Sequence, residues 1–137
     1  MIEIKEISAE ETWPLRHKVM WPDQSFEFVK VENDHEGKHF GLFMNTQLTS
    51  IVSLFHADQS YQFRKLATAI EQQGNGFGSK LLNHLFEYAQ GEKVPRIWCN
   101  ARADKIAFYK RFGMTETDKR FVKAGIDFVI MERIFHL

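Results

Sequence analysis

Three glycines fall within five residues in the run Gln73-Gly74-Asn75-Gly76-Phe77-Gly78, and Ser79 follows. Glycine permits positive φ and leaves bare backbone that a ligand can approach. From Phe77 onward, Leu81, Leu82, Leu85, Phe86 and Ala89 recur at helical spacing. The run therefore sits at a helix N-terminus, where unpaired amides and the macrodipole favour an anion. That chemistry suits a phosphate or pyrophosphate. The plainer alternative is a tight strand-to-helix turn with no ligand.

Spacing narrows the choice of phosphate ligand. A P-loop needs Gly-x-x-x-x-Gly-Lys-Ser/Thr, but Gly78 is followed by Ser79, Lys80 and Leu81, so no magnesium ligand is supplied. The dinucleotide fingerprint Gly-x-Gly-x-x-Gly fails by one residue, and the run does not follow the first strand, where that fingerprint belongs. A second chemical pattern is His35-Glu36-Gly37-Lys38-His39, which matches the zinc-protease spacing His-Glu-x-x-His. That chemistry requires both histidines on one helix face. Gly37 interrupts, His39 opens an alternating strand pattern, and no downstream ligand follows, so no metal site is expected.

The elements that must position the glycine run are legible from periodicity. Ile2 and Ile4 alternate with charged residues in a short first strand. Ser8-Ala9-Glu10-Glu11 has capping-box spacing, but Pro14 would then fall past the first turn. A helix capped by Thr12 is the easier reading, with Leu15, Val19 and Met20 facing the core. Residues 21–37 show no period and read as a long loop, either functional or a plain surface loop with an irregular helical turn. Residues 40–44 and 48–55 read as a hairpin turning at Asn45-Thr46-Gln47, and 61–68 as the next strand. After the helix from Phe77 to Gly91 come a buried strand (94–99), a helix through Ala103, Ile106, Ala107 and Lys110 closed by Gly113, and a last strand (126–135). The order is β-α-β-β-β-α-β-α-β-β, a mixed α/β arrangement rather than a regular parallel sheet.

The chain has 137 residues, 44% hydrophobic and 26% charged, which fits one domain over residues 1–137 with a packed core. Thirteen phenylalanines make aromatic packing the dominant core interaction. Eighteen basic residues balance eighteen acidic ones, so bulk charge gives no support to nucleic-acid binding. Cys99 is the only cysteine, so no intrachain disulfide forms, which fits a reducing compartment. The charged N-terminus does not read as a signal peptide, and no apolar run approaches the ~20 residues of a membrane helix. The expectation is a soluble, cytoplasmic protein with no membrane partner. A homodimer is compatible with the sequence.

The glycine run resembles the cofactor loop of the GNAT superfamily of N-acetyltransferases, whose signature is Gln/Arg-x-x-Gly-x-Gly/Ala at a helix start. Arg64-Lys65-Leu66-Ala67-Thr68 resembles the strand leading into that motif. Asn100-Ala101-Arg102 and Ala107-Phe108-Tyr109-Lys110-Arg111-Phe112-Gly113 resemble the family's later segment, in the expected order. The resemblance covers roughly residues 51–132. Two positions depart: Lys105 stands where the family has a small residue, and Met114 replaces a phenylalanine. Lys105 either reaches a phosphate or points into solvent.

The resemblance implies a mostly antiparallel central sheet flanked by helices, with acetyl-coenzyme A as co-substrate. Its pyrophosphate would lie on the amides of Gly74, Asn75, Gly76, Phe77, Gly78 and Ser79, beside Gln73. Its pantetheine would run along Leu66, Ala67 and Thr68 between two splayed strands, with Asn100 bonding the same arm. An amine of a small molecule or peptide would attack the thioester. Backbone N–H groups around Leu66, Ala67 and Thr68 would hold the oxyanion. Tyr109 would protonate the leaving thiolate, although by periodicity alone it is a packing residue. The base is open among His56, Asp58, Glu71 and water. The competing reading is a non-catalytic acyl-coenzyme A-binding module of the same fold.

Overall fold

The computed structural model describes residues 1–136. Seven strands form one sheet in the order β1-β2-β3-β4-β5-β7-β6, comprising β1 (Ile2–Ile7), β2 (Lys38–Met44), β3 (Gln47–Ala57), β4 (Ser60–Thr68), β5 (Arg96–Arg102), β6 (Thr115–Lys123) and β7 (Ile126–Ile134). The helices are α1 (Ala9–Leu15), α2 (Phe77–Gly91) and α3 (Ile106–Lys110). Element types and order agree with those expected, although periodicity assigned no residue range to β6. Every neighbouring pair is antiparallel except β4 and β5.

The start of α1 corrects the sequence reading. Ser8, not Thr12, caps the helix: Ser8 Oγ accepts from the Glu11 amide at 3.2 Å, and Glu11 Oε1 accepts from the Ser8 amide at 2.9 Å. The Thr12 hydroxyl instead donates to the Ala9 carbonyl at 2.6 Å. Pro14 therefore lies inside the helix. A proline there removes one N–H, the partner of a single carbonyl a turn earlier, and the reciprocal cap outweighs that loss. Beyond Pro14 the coil widens into a π-turn over Arg16–Met20.

Residues 21–37 hold two short 3-10 turns, Phe26–Val29 and Asp34–Glu36, and are pinned by buried Val29 and Asp34. The β2–β3 hairpin turns on Asn45 and Thr46, both with positive φ, as a two-residue turn with the right-handed twist of strands requires.

Each face of the sheet buries a different set of side chains. The larger core joins Leu81, Leu82, Leu85 and Phe86 of α2 to Phe40, Leu42, Phe63 and Ile97, and takes in Met114, which is 1% exposed. The substitution at 114 is thus a core packing change. A smaller cluster joins Ile7, Ile51 and Ala67 to Leu15, Val19 and Met20, the three residues expected to face the core.

One irregularity positions the site. Ile51 faces Ala67, and Ser53 faces Arg64, so Lys65 and Leu66 are together opposed by Val52 alone. Lys65 adopts φ +60° at this bulge. On its other edge β4 pairs with β5 only from Ser60 to Gln62, opposite Arg96 to Trp98. Past that point the two strands separate into a fork.

Candidate active site

The fork opens onto the N-terminus of α2. Gly74 and Gly76 have φ of +86° and +77°, and a Cβ built on either meets nothing within 4 Å. These glycines thus serve backbone conformation and an uncovered surface, not close packing. The first backbone bond closing this helix runs from the Lys80 amide to the Gly76 carbonyl, at 3.0 Å. The amides of Phe77, Gly78 and Ser79 precede it and have no intrahelical acceptor. Gly76 is itself the N-cap and provides no side chain to satisfy them. A pyrophosphate fits this cradle on geometry and on charge.

The loop is braced from within. Gln73 Nε2 donates to the Thr68 carbonyl at 3.1 Å, and Asn75 Nδ2 donates to the Gln72 carbonyl at 3.0 Å. The Thr68 hydroxyl meets Ser50 Oγ at 2.9 Å, and Ser50 Oγ also donates to the Ala67 carbonyl. Loop and strand end are thereby fixed to each other.

A cleft of about 540 Å³ runs from this loop into the fork. Leu66, Ala67 and Thr68 form one wall, and Gln73, Gly74, Gly76, Phe77, Gly78 and Ser79 form the mouth. Tyr109 and Phe108 of α3 stand across from them. Lys105 is on the exposed rim with Arg111, a cation the sequence reading did not single out. Val19 of the π-turn also reaches the cleft, so the irregular segment after α1 contributes to it.

Tyr109 is half-buried between Phe63 and Phe108, with ring centroids 5.8 and 5.1 Å away. Burial, and secondarily the neighbouring Cys99, push its phenol well above the usual tyrosine range. The hydroxyl therefore stays protonated at neutral pH, and the residue lines the cleft. Burial also pushes the Cys99 thiol up to about 12.

Other candidates fall elsewhere. Asn75 belongs to the loop but turns back to Gln72 and does not line the cleft. Asn100 is not at a strand end: β5 continues to Arg102, Asn100 pairs with Ile130, and its exposed side chain is not in the cleft lining. His56 pairs with Tyr61 at the hairpin end of β3 and β4. Five residues separate Tyr61 from Leu66, about 17 Å along a strand. His56, and Asp58 in the adjoining turn, are thus too far from the cleft to take a proton directly. Glu71 lies near the loop in the turn Ile70–Gln72 but points into solvent. Of the four base candidates, water in the open cleft suffers no such separation.

His35 and His39 do not share a helix face. His35 lies in an exposed 3-10 turn, whereas His39 lies on β2 and is 2% exposed. His39 Nε2–H donates to the Asp34 carbonyl at 2.8 Å, and Nδ1 meets Ser53 Oγ at 2.7 Å. Both ring nitrogens are used structurally. The same network contains a feature the sequence reading missed, the buried pair of Arg16 and Asp34. Asp34 lies in the stretch with no period and Arg16 in the helix predicted before it, so no local spacing links them.

Comparison with known proteins agrees with this geometry. A sequence model described as the acetyltransferase (GNAT) domain matches residues 5–135. The uncharacterized N-acetyltransferase YitI of Bacillus subtilis (strain 168) is 34% identical over 135 residues, covering 92% of this chain and 91% of the relative. The ribosomal-protein-S18-alanine N-acetyltransferase of Escherichia coli has the same fold, with a TM-score of 0.82 at 18% identity over 100% of this chain and 96% of that one. A GNAT family acetyltransferase of Elizabethkingia anophelis with acetyl-CoA bound superposes with a TM-score of 0.79 at 16% identity over 98% of each chain. The forked sheet, the glycine-capped helix and these matches over nearly the whole length establish that the chain belongs to the GNAT acetyltransferase family.

Proposed function

We propose that this protein transfers an acetyl group from acetyl-coenzyme A to a primary amine of a small molecule or peptide. The observation that carries the reading is the continuity of the fork with the glycine cradle: unpaired β4 backbone at one end, free helix amides at the other, and Tyr109 across the gap. The amides of Phe77, Gly78 and Ser79 hold the pyrophosphate. The free edge of β4 past Gln62 supplies N–H and C=O groups to the amide-rich pantetheine arm, as a neighbouring strand would. Leu66 and Tyr109 both line the cleft, so the thioester is placed between them.

Catalysis then needs few groups. The amine attacks in its unprotonated form, so its ammonium first gives up a proton to water in the cleft. Backbone N–H groups at Leu66 and Ala67 oppose the charge that grows on the carbonyl oxygen. As the C–N bond forms and the C–S bond breaks, the Tyr109 hydroxyl donates its proton to the departing sulfur. The second amine proton restores the phenol through the same water.

Calorimetric titration with coenzyme A, followed by an amine panel scored by thiol release, tests the proposal. Saturable 1:1 binding and amine-dependent thiol release are expected. Absence of coenzyme binding would refute the reading, while tight binding without release for any amine would favour a binding module.

A further inference from the structure

Lys65 is the bulged residue of β4, immediately before Leu66, where the cleft lining begins. It is half-buried, yet it takes part in no ion pair or side-chain hydrogen bond among the described residues. The charges acting on it are Arg64 of its own strand, Arg16 of the π-turn packed on that strand, Lys123 at the end of β6, and Asp34. Three are cations. The one anion, Asp34, is already held by both guanidinium nitrogens of Arg16 and is screened from solvent. Desolvation, assisted by these cations, pulls the Lys65 ammonium down to about 8. The position is also conformationally unusual. A non-glycine residue at φ +60° is strained by about 1 kcal/mol, and lysine has no short side chain to bond its own backbone there.

From this geometry we infer that Lys65 anchors a carboxylate of the acceptor, so that the acceptor amine belongs to an amino acid-like molecule or another amine bearing an acidic group. This rests on the proposed acetyl transfer. An unpaired, partly desolvated ammonium on the free stretch of β4, one residue before the cleft wall, gains a counterion when an anion enters with the substrate. The thioester lies beside Leu66 in the proposed complex, so an acceptor docked on Lys65 presents its amine one strand residue from the carbonyl it attacks. A role as general base is chemically distinct: it would affect kcat with every amine.

The test compares ω-amino carboxylic acids of two to six carbons with their carboxamides, using acetyl-coenzyme A and thiol release. At pH 7 the best acid is expected to exceed its amide by at least about tenfold in kcat/KM, the value of one charge-assisted bond. Lys65→Met should erase that preference through KM and leave kcat and the amide nearly unchanged. Lys65→Glu should invert it. Equal use of acid and amide by the wild type, or an equal loss of kcat for both in Lys65→Met, would overturn the inference and leave acetyl transfer standing. A second measurement does not need turnover. Glutarate should raise the titration midpoint of the Lys65 side chain, followed by NMR at Cε, from about 8. An unmoved midpoint at saturating glutarate would overturn the inference even if no amine is acetylated.

Discussion

The Arg16 guanidinium grips both carboxylate oxygens of Asp34, at 2.8 and 2.9 Å, in a site where neither residue is more than 1% exposed. Arg16 also donates to the Val29 carbonyl and to Ser53 Oγ, and Asp34 accepts from Trp13 Nε1 and the Val31 amide. The pair thus ties the irregular segment after α1 to β3. Removing one partner leaves a charge buried without compensation, so Arg16→Ala should cost about 3–5 kcal/mol. Chemical denaturation measures this. Arg16→Lys should recover only part of the loss, because an ammonium cannot reproduce the two-pronged contact.

Asp34 also sets an acid limit. Burial alone would raise its pKa, but the bonds from Arg16, Val31 and Trp13 win and lower it from 3.8 to about 2. A depressed folded pKa stabilises the fold above the unfolded value, and this contribution disappears as pH falls through about 2. Its size is on the order of 2 kcal/mol. Stability measured between pH 5 and pH 2 should fall by that amount more in the wild type than in Asp34→Asn.

Gly76→Glu should abolish coenzyme binding by placing bulk and negative charge at the helix N-terminus. Because φ there is +77°, any side chain adds about 1–2 kcal/mol of strain. Gly76→Ala bears the same strain without the charge and is the control. Calorimetry should find binding lost in the first and weakened in the second, with both folded by circular dichroism.

Tyr109→Phe should lower kcat by about 10²–10⁴, the usual worth of a positioned acid, with coenzyme affinity retained. The phenol takes part in no hydrogen bond among the described residues, so stability should change by only about 0.5 kcal/mol. With its pKa raised, Tyr109 should cause no fall in rate near pH 10, where an ordinary tyrosine ionises. A pH–rate profile of kcat checks this.

Cys99 is 3% exposed, and its thiol is pushed up to about 12. It should not react with a disulfide reagent in the native state and should titrate as one equivalent after denaturation. A reactive native thiol would contradict its burial on the core face of β5.

The amino-acid sequence by itself determined the local geometry. Helical spacing from Phe77 to Ala89 defined α2, and the alternation around Phe40 and Leu42 defined the hairpin, because periods of 3.6 and 2 report which faces are buried. The glycine run was legible because positive φ at Gly74 and Gly76 demands a residue without Cβ. It could not reveal that Pro14 lies within α1, since the strength of a cap against one lost bond depends on the completed turn. Nor did it pair Arg16 with Asp34, remove His56 and Asp58 from the cleft, or mark Lys65 as unpaired. The first follows from packing of the segments around residues 16 and 34 against β3, the second from the β3–β4 hairpin register, and the third from the bulge in β4, which place residues distant in sequence together or keep near ones apart. Period encodes the face a residue turns to, whereas register and packing between elements decide its neighbours. The tertiary structure therefore decided which polar groups are satisfied and which are left for a substrate.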